Sequence, residues 1–145
     1  SLSFLVGQWK SEFTRKSPAG KEEKVVSTVR TGWRLQGQFL EMEETQSADG
    51  KTPTTTLLLV TFDPDRKAYQ GYIFTSSYPN FPMAVLGQAT VDKLVLKVDA
   101  ETSPVMATFT YEKLPSGRYR GSSSLRVGEK DMTEAAEYEP QKKEK

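Results

Sequence analysis

The side chains that could perform acid–base chemistry in this sequence are carboxylates, because the chain contains no histidine and no cysteine. Ser-His and Cys-His catalytic pairs, thiolate nucleophiles and disulfides are therefore excluded. Glu41, Glu43 and Glu134 could form an acid–base pair only if burial raised one pKa and brought two carboxyl groups close together. The serines at 122–124 have no histidine as a base and no G-x-S-x-G turn, which indicates a polar strand near a rim. One enzyme alternative remains, a histidine-free isomerase or hydrolase that uses a buried Glu with Tyr.

Aromatic and methionine side chains are the best candidates for contacting a small molecule. Aromatic rings offer flat apolar walls with a polar edge, and methionine adapts to irregular ligands. The alternative is that the same side chains simply fill the protein interior. The candidate ligand-binding residues are Trp33, Met42, Tyr72, Phe74, Tyr111 and Tyr119.

Arg30 and Arg34 share one face of a predicted strand. They could bind an acidic ligand, or they could pair with Glu41 and Glu43 on the neighbouring strand. Cross-strand ion pairs at a surface are the ordinary outcome of such a pattern. We therefore favour surface pairing over an anion site.

Composition limits the partners of the chain. With 20 basic and 19 acidic residues, the net charge is +1, so we expect no general affinity for nucleic acid. The longest aliphatic run, residues 57–60, is far too short to span a membrane. We expect no metal or redox cofactor.

The sequence does not decide whether the protein is located in the cytoplasm or the periplasm. We slightly favour export, because the first residue, Ser1, suits a trimmed chain.

Alternating apolar and polar residues between closely spaced turn signals predict strands along the whole chain. Leu94, Leu96 and Val98, for example, fall on one face of their segment. Turn-forming Pro, Gly and Asp recur about every 8–15 residues, which leaves little room for anything but strands. An antiparallel meander of ten strands is expected, with strand centres near residues 10, 28, 41, 58, 72, 87, 95, 108, 121 and 135.

Residues 131–138 are ambiguous because a capping box and good helix formers favour a helix there. We nevertheless predict a strand, since a closed sheet needs a last strand to pair with the first. Closure removes both sheet edges, and a barrel of this strand number is wide enough to hold a cavity. The predicted fold is all-β: an antiparallel up-and-down barrel of eight to ten strands, with one domain over 1–139 and a charged, frayed tail over 140–145.

Three stretches resemble known barrel families. Residues 4–10 contain Gly7-Gln8-Trp9, a G-x-W similar to the signature of the lipocalin, fatty-acid-binding and nitrobindin barrels, together called calycins. Gly7 would let the chain bend into the barrel, and Trp9 would plug its closed end. Residues 32–40 and 62–71 resemble a bacterial lipocalin-like family of unknown function. At the position of that family's corner motif this chain has Gly37-Gln38-Phe39, with Gln38 in place of the family's Arg. Ile73 stands where that family has Trp.

This resemblance implies a lipocalin-like barrel that binds a small, largely apolar molecule without forming a covalent bond. The nitrobindin ligand, haem, is not expected because the chain has no histidine. Residues 15–23 are too few for the helical pair of fatty-acid-binding proteins. The loop 76–82 could be a lid over the open end or a rigid connector that packs Phe81 against the barrel, and we favour the lid. A further alternative is a scaffold whose outer face or whose loop 76–82 binds another protein or forms a homodimer.

Overall fold

The structure is a computed structural model that describes residues 2–17, 19–77, 79–80, 82–99 and 105–141, without the side chain of Val127. A short 3-10 helix, η1 (Ser3–Leu5), precedes ten strands. The strands are β1 (Gly7–Lys16), β2 (Glu22–Arg34), β3 (Phe39–Ala48), β4 (Thr54–Asp63), β5 (Ala68–Thr75), β6 (Met83–Ala89), β7 (Lys93–Val98), β8 (Met106–Lys113), β9 (Tyr119–Val127) and β10 (Lys130–Pro140). Among the described residues, no helix has the length and hydrophobicity that a membrane crossing requires.

Each strand pairs antiparallel with the next along the chain, and β1 pairs with β10 to close the barrel. The predicted all-β up-and-down barrel is confirmed, and every predicted strand centre lies within a strand. Residues 131–138 belong to β10 and form no helix, since they pair with β9. The strand extends to Pro140, one residue into the predicted tail, while residues 142–145 lie outside the described part of the chain.

One end of the barrel is filled by apolar side chains from the start of the chain. Leu2 and Leu5, from the segment around η1, are almost fully buried together with Leu40 and Leu94. Trp9 lies among them, and its indole Nε1 donates a hydrogen bond to the carbonyl oxygen of Leu5 at 2.9 Å. This bond satisfies the indole N–H inside an apolar plug, where an unpaired donor would be costly. We refer to this part of the barrel as the plugged end.

Two strands approach each other very closely at Gly71 in β5. A Cβ atom on this glycine would lie only 1.7 Å from the carbonyl oxygen of Leu59 on β4. Gly87 in β6 approaches Val95 of β7 in the same way, at 1.8 Å. At both positions a side chain would collide with the backbone of the neighbouring strand, so the close approach there depends on glycine.

The closing seam between β1 and β10 is short. The two strands pair at Trp9–Pro140 and Lys10–Glu139, whereas β1 and β2 pair continuously from Gly7 to Lys16. One more backbone bond, from the amide of Gln141 to the carbonyl of Gln8 at 2.9 Å, extends the seam at the plugged end. The remainder of β1 therefore borders β10 without a ladder of paired residues.

Candidate functional site

A cavity of about 220 Å³ lies inside the barrel, between the plugged end and the opposite end. The strands that surround it place carboxylates, hydroxyls and aromatic rings beside aliphatic side chains. The lining consists of Val29, Met42, Glu44, Gln46, Thr56, Leu58, Ile73, Phe109, Tyr111, Tyr119, Gly121, Ser122, Ser123, Glu134, Ala136 and Tyr138.

Stacked aromatic rings connect the cavity to the plugged end. The ring of Tyr119 packs edge-on against Trp9, with centroids 4.8 Å apart, and stacks on Tyr138 at the same separation with an interplanar angle of 12°. Gly121 makes room for Tyr138, since a Cβ atom there would lie 3.2 Å from the Tyr138 ring. Burial raises the pKa of the Tyr111, Tyr119 and Tyr138 hydroxyls above their ordinary value. At neutral pH these hydroxyls are therefore protonated and can donate hydrogen bonds.

Glu44 on β3 is the carboxylate at the centre of the site. Its Oε2 atom accepts a hydrogen bond from the Ser27 hydroxyl at 2.6 Å and another from the Tyr138 hydroxyl at 2.5 Å. The nearby negative charge is a further reason why the pKa of Tyr138 is raised. Among the described residues, none donates a hydrogen bond to the other oxygen, Oε1. The carboxylate is thus held through one oxygen and has free acceptor capacity on the second.

A chain of ion pairs lies at the end of the cavity that faces away from the plug. Arg15 donates through Nε to Glu23 at 2.8 Å and through Nη1 to Gln46 at 3.2 Å, and its Nη1 is 3.8 Å from Glu134. Lys51 approaches the second oxygen of Glu23 at 2.6 Å. Hydrogen bonds from Lys51 and Arg15 lower the pKa of Glu23. Burial raises the pKa of Glu134, with Arg15 acting in the opposite direction.

The structure divides the predicted ligand-binding residues into two groups. Met42, Tyr111 and Tyr119 line the cavity. Tyr72 and Phe74 lie on the outer face of β5, at 54% and 41% exposed, because Ile73 between them is the residue that faces inward. Trp33, 44% exposed, lies near the end of β2 where the strand leaves the core. The six side chains therefore do not share one pocket: the interior position expected for Tyr72 and Phe74 is wrong, and Trp33 does not line this cavity.

Arg30 and Arg34 form ion pairs at the surface, as predicted, with carboxylates on the outer face of β3. Arg30 pairs with Glu43 at 3.3 Å and Arg34 with Glu41 at 3.4 Å. Neither glutamate lines the cavity, so the suggested acid–base pair does not include them. Glu134 does line it, as do two of the serines at 122–124.

Sequence reasoning missed Glu44, although a signal for it was present. Glu44 follows Met42 by two residues, so it shares the inward face of β3 with Met42 and Leu40. Tyr138 was hidden by the ambiguity of its segment between helix and strand. The lid predicted over 76–82 includes Tyr78 and Phe81, which lie outside the described residues. Within the described residues, no three acidic side chains converge on a site that could hold a metal ion.

Comparison with known proteins supports the fold and the family. The crystal structure of Rv2717c from M. tuberculosis is similar, with a TM-score of 0.68 and 16% sequence identity over 97% of this chain and 95% of that chain. At this identity the likeness shows the fold alone. No curated protein matches the chain. The family described as "Protein of unknown function (DUF1579)" matches residues 1–114, which include β1 to β8 and Glu44 but neither β9 nor β10. The chain therefore belongs to the DUF1579 family of proteins of unknown function.

Proposed function

We propose that this barrel binds a small, largely apolar molecule in its interior without forming a covalent bond. The observation that carries the proposal is the cavity itself, whose volume of about 220 Å³ is bordered by Met42, Leu58, Ile73 and Phe109. An apolar cavity of about 150 Å³ is enough to bind benzene. The volume here suits an aromatic ring with a short substituent.

The polar groups of the cavity would give the guest its orientation. Binding pockets are mainly apolar and carry a few placed polar groups that fix how the ligand lies. Glu44, Tyr111 and Ser123 are such groups, and they share the cavity with the aliphatic wall. The guest would therefore have an apolar body and one polar end.

A relationship to the lipocalin-like calycin barrels is part of the same proposal. It is supported by the G-x-W segment, where Gly7 has a φ of 135° that favours glycine and Trp9 is buried in the plug. In this interpretation Gly7 and Trp9 maintain the closed end, and the cavity beside it receives the guest.

Calorimetric titration of the protein with 2-phenylethanol, a neutral ring with a short polar substituent, tests the proposal. We expect saturable binding at one site. Ala136→Leu places extra bulk in the cavity, because Ala136 is buried in its lining, and should weaken binding at least tenfold. Ala135→Leu is the matched control, since Ala135 is exposed on the other face of β10 and should leave binding unchanged.

Two results would count against cavity binding. One is the absence of saturable binding to the unaltered protein. The other is equal binding by Ala136→Leu and Ala135→Leu, because a guest in the cavity must compete with the added side chain. Circular dichroism of both variants would establish that each retains the barrel.

A second candidate function is acid–base catalysis on a guest in the same cavity. It is favoured by the short bond between Tyr138 and Glu44 and by the raised pKa of the nearby Glu134. These groups could transfer a proton to or from a bound molecule. The test is a carbon-13 NMR titration of the glutamate carboxyl groups. If every one titrates near the reference value of about 4.3, the catalytic candidate is excluded.

A further inference from the structure

The charged side chains that line the cavity are all acidic. They are Glu44 and Glu134, and the lining that the described residues form contains neither lysine nor arginine. Arg15 at the rim is engaged by Glu23, which also binds Lys51, by Gln46, and by Glu134 at 3.8 Å. The cavity therefore offers negative charge to a guest, and the cations that the described residues place near it are already engaged.

The geometry of Glu44 provides a free acceptor for that guest. Ser27 and Tyr138 both donate to Oε2, which fixes the carboxylate in position. Among the described residues, Oε1 has no hydrogen-bond donor, and Glu44 contributes to the cavity surface. A cationic donor from a ligand would form a charge-assisted hydrogen bond there, which is stronger than a neutral one.

Aromatic rings beside the carboxylate favour the same kind of group. Phe109, Tyr111 and Tyr119 line the cavity together with Glu44. The faces of aromatic rings carry partial negative charge and attract ammonium groups, most strongly where water is excluded. A carboxylate group on a guest would instead meet Glu44 and Glu134, and among the described residues only Glu134 has a cation, Arg15, within 4 Å.

We propose that the guest is a primary amine, whose protonated nitrogen binds Glu44 and whose apolar body contacts Met42, Leu58 and Ile73. This inference rests on the proposed cavity binding and adds the chemical class of the ligand. Specificity then has two sources: attraction of an ammonium by Glu44 and repulsion of anions by Glu44 and Glu134.

The test compares three probes with similar skeletons: 2-phenylethylamine, 2-phenylethanol and phenylacetate. Calorimetric titrations of the unaltered protein at pH 7 and low salt should show the amine binding at least tenfold more tightly than the alcohol. Phenylacetate should bind most weakly. Because these measurements use the unaltered protein, they do not depend on the folding of any variant.

Glu44→Gln then assigns the preference to one side chain. We expect this variant to lose the preference, so that the amine and the alcohol bind to it with about equal affinity. Glu43→Gln is the matched control, because Glu43 is the adjacent residue and pairs with Arg30 outside the cavity. It should retain the full preference for the amine.

The outcomes separate this inference from the function on which it rests. If the alcohol binds in the cavity and the amine binds no better, the assignment of an amine is overturned and cavity binding stands. An amine preference that survives Glu44→Gln also overturns the assignment. If none of the three probes binds, the proposed cavity function fails as well.

Discussion

Replacing Tyr138 with Phe should measure how strongly the cavity wall depends on the bond to Glu44. The substitution keeps the ring that stacks on Tyr119 and removes only the hydroxyl that donates to Glu44 Oε2 at 2.5 Å. Hydrogen bonds to charged groups contribute about 1.5–3 kcal/mol to stability. Ser27 still donates to the same oxygen, and the cavity is wide enough for water, so we expect a loss near 1.5–2 kcal/mol, at the lower end of that range.

Urea unfolding followed by tryptophan fluorescence is the assay, since Trp9 contacts Tyr119 within the same aromatic group. Tyr72→Phe is the matched control, because the Tyr72 side chain is 54% exposed on the outer face. This control should change the free energy of unfolding by less than about 0.5 kcal/mol. Repeating Tyr138→Phe in a Glu44→Gln background should give a smaller loss, because the bond is then neutral. Equal losses for Tyr138→Phe and Tyr72→Phe would refute the reasoning.

Three further substitutions test other parts of the structure. Gly71→Ala should lower the free energy of unfolding in urea by about 3 kcal/mol or more, because the added methyl group would collide with the backbone of β4. Gly32→Ala is the control and should cost less than about 1 kcal/mol, because its Cβ would meet no atom closer than 3.6 Å. Equal costs for the two variants would contradict the close approach at Gly71. Burial raises the pKa of Glu134 above 4.5, so the folded state holds this proton more tightly than the unfolded state and stability declines as the pH rises through the folded pKa. In urea titrations from pH 4 to 8, Glu134→Gln should remove that decline, and an unchanged pH profile would show that the carboxyl group is not destabilised by burial. Arg34→Gln breaks the exposed ion pair with Glu41 and should alter the unfolding free energy by less than about 0.5 kcal/mol. A larger loss would show that Arg34 stabilises the barrel by more than this ion pair.

Strand number and order could be predicted from the sequence because two local signals agree. Turn residues occur where the chain reverses, and segments such as Leu94–Val98 alternate cleanly between faces. In β10, closure of the sheet outweighs the helix propensity of the local residues. Long-range pairing therefore decided the one segment that local rules left ambiguous.

The side chains that face the barrel interior could be predicted only in part. Alternation divides a strand into two faces, but it shows which face points inward only when one inward residue is known. In β3, the apolar residues Leu40 and Met42 mark the inward face, and the same alternation places Glu44 on it, although Glu44 was not among the predicted residues. In β5 the aromatic residues Tyr72 and Phe74 drew attention, although Ile73 is the residue on the inner face. Size and hydrophobicity do not fix the direction of a side chain, since one residue of displacement exchanges the two faces of a strand.

The hydrogen bonds that join β1 to β10 also have a consequence for synthesis of the protein. β1 is synthesised before the other strands and can pair with β2 as soon as that strand has emerged, but its other edge lacks its partners Glu139, Pro140 and Gln141 until these have emerged too. During translation the nascent sheet thus carries an exposed edge, the kind of surface that invites pairing with other chains. Pairing of β1 with β10 is therefore the last strand pairing that the order of synthesis allows, and the cylinder stays open until all of the other strands are available.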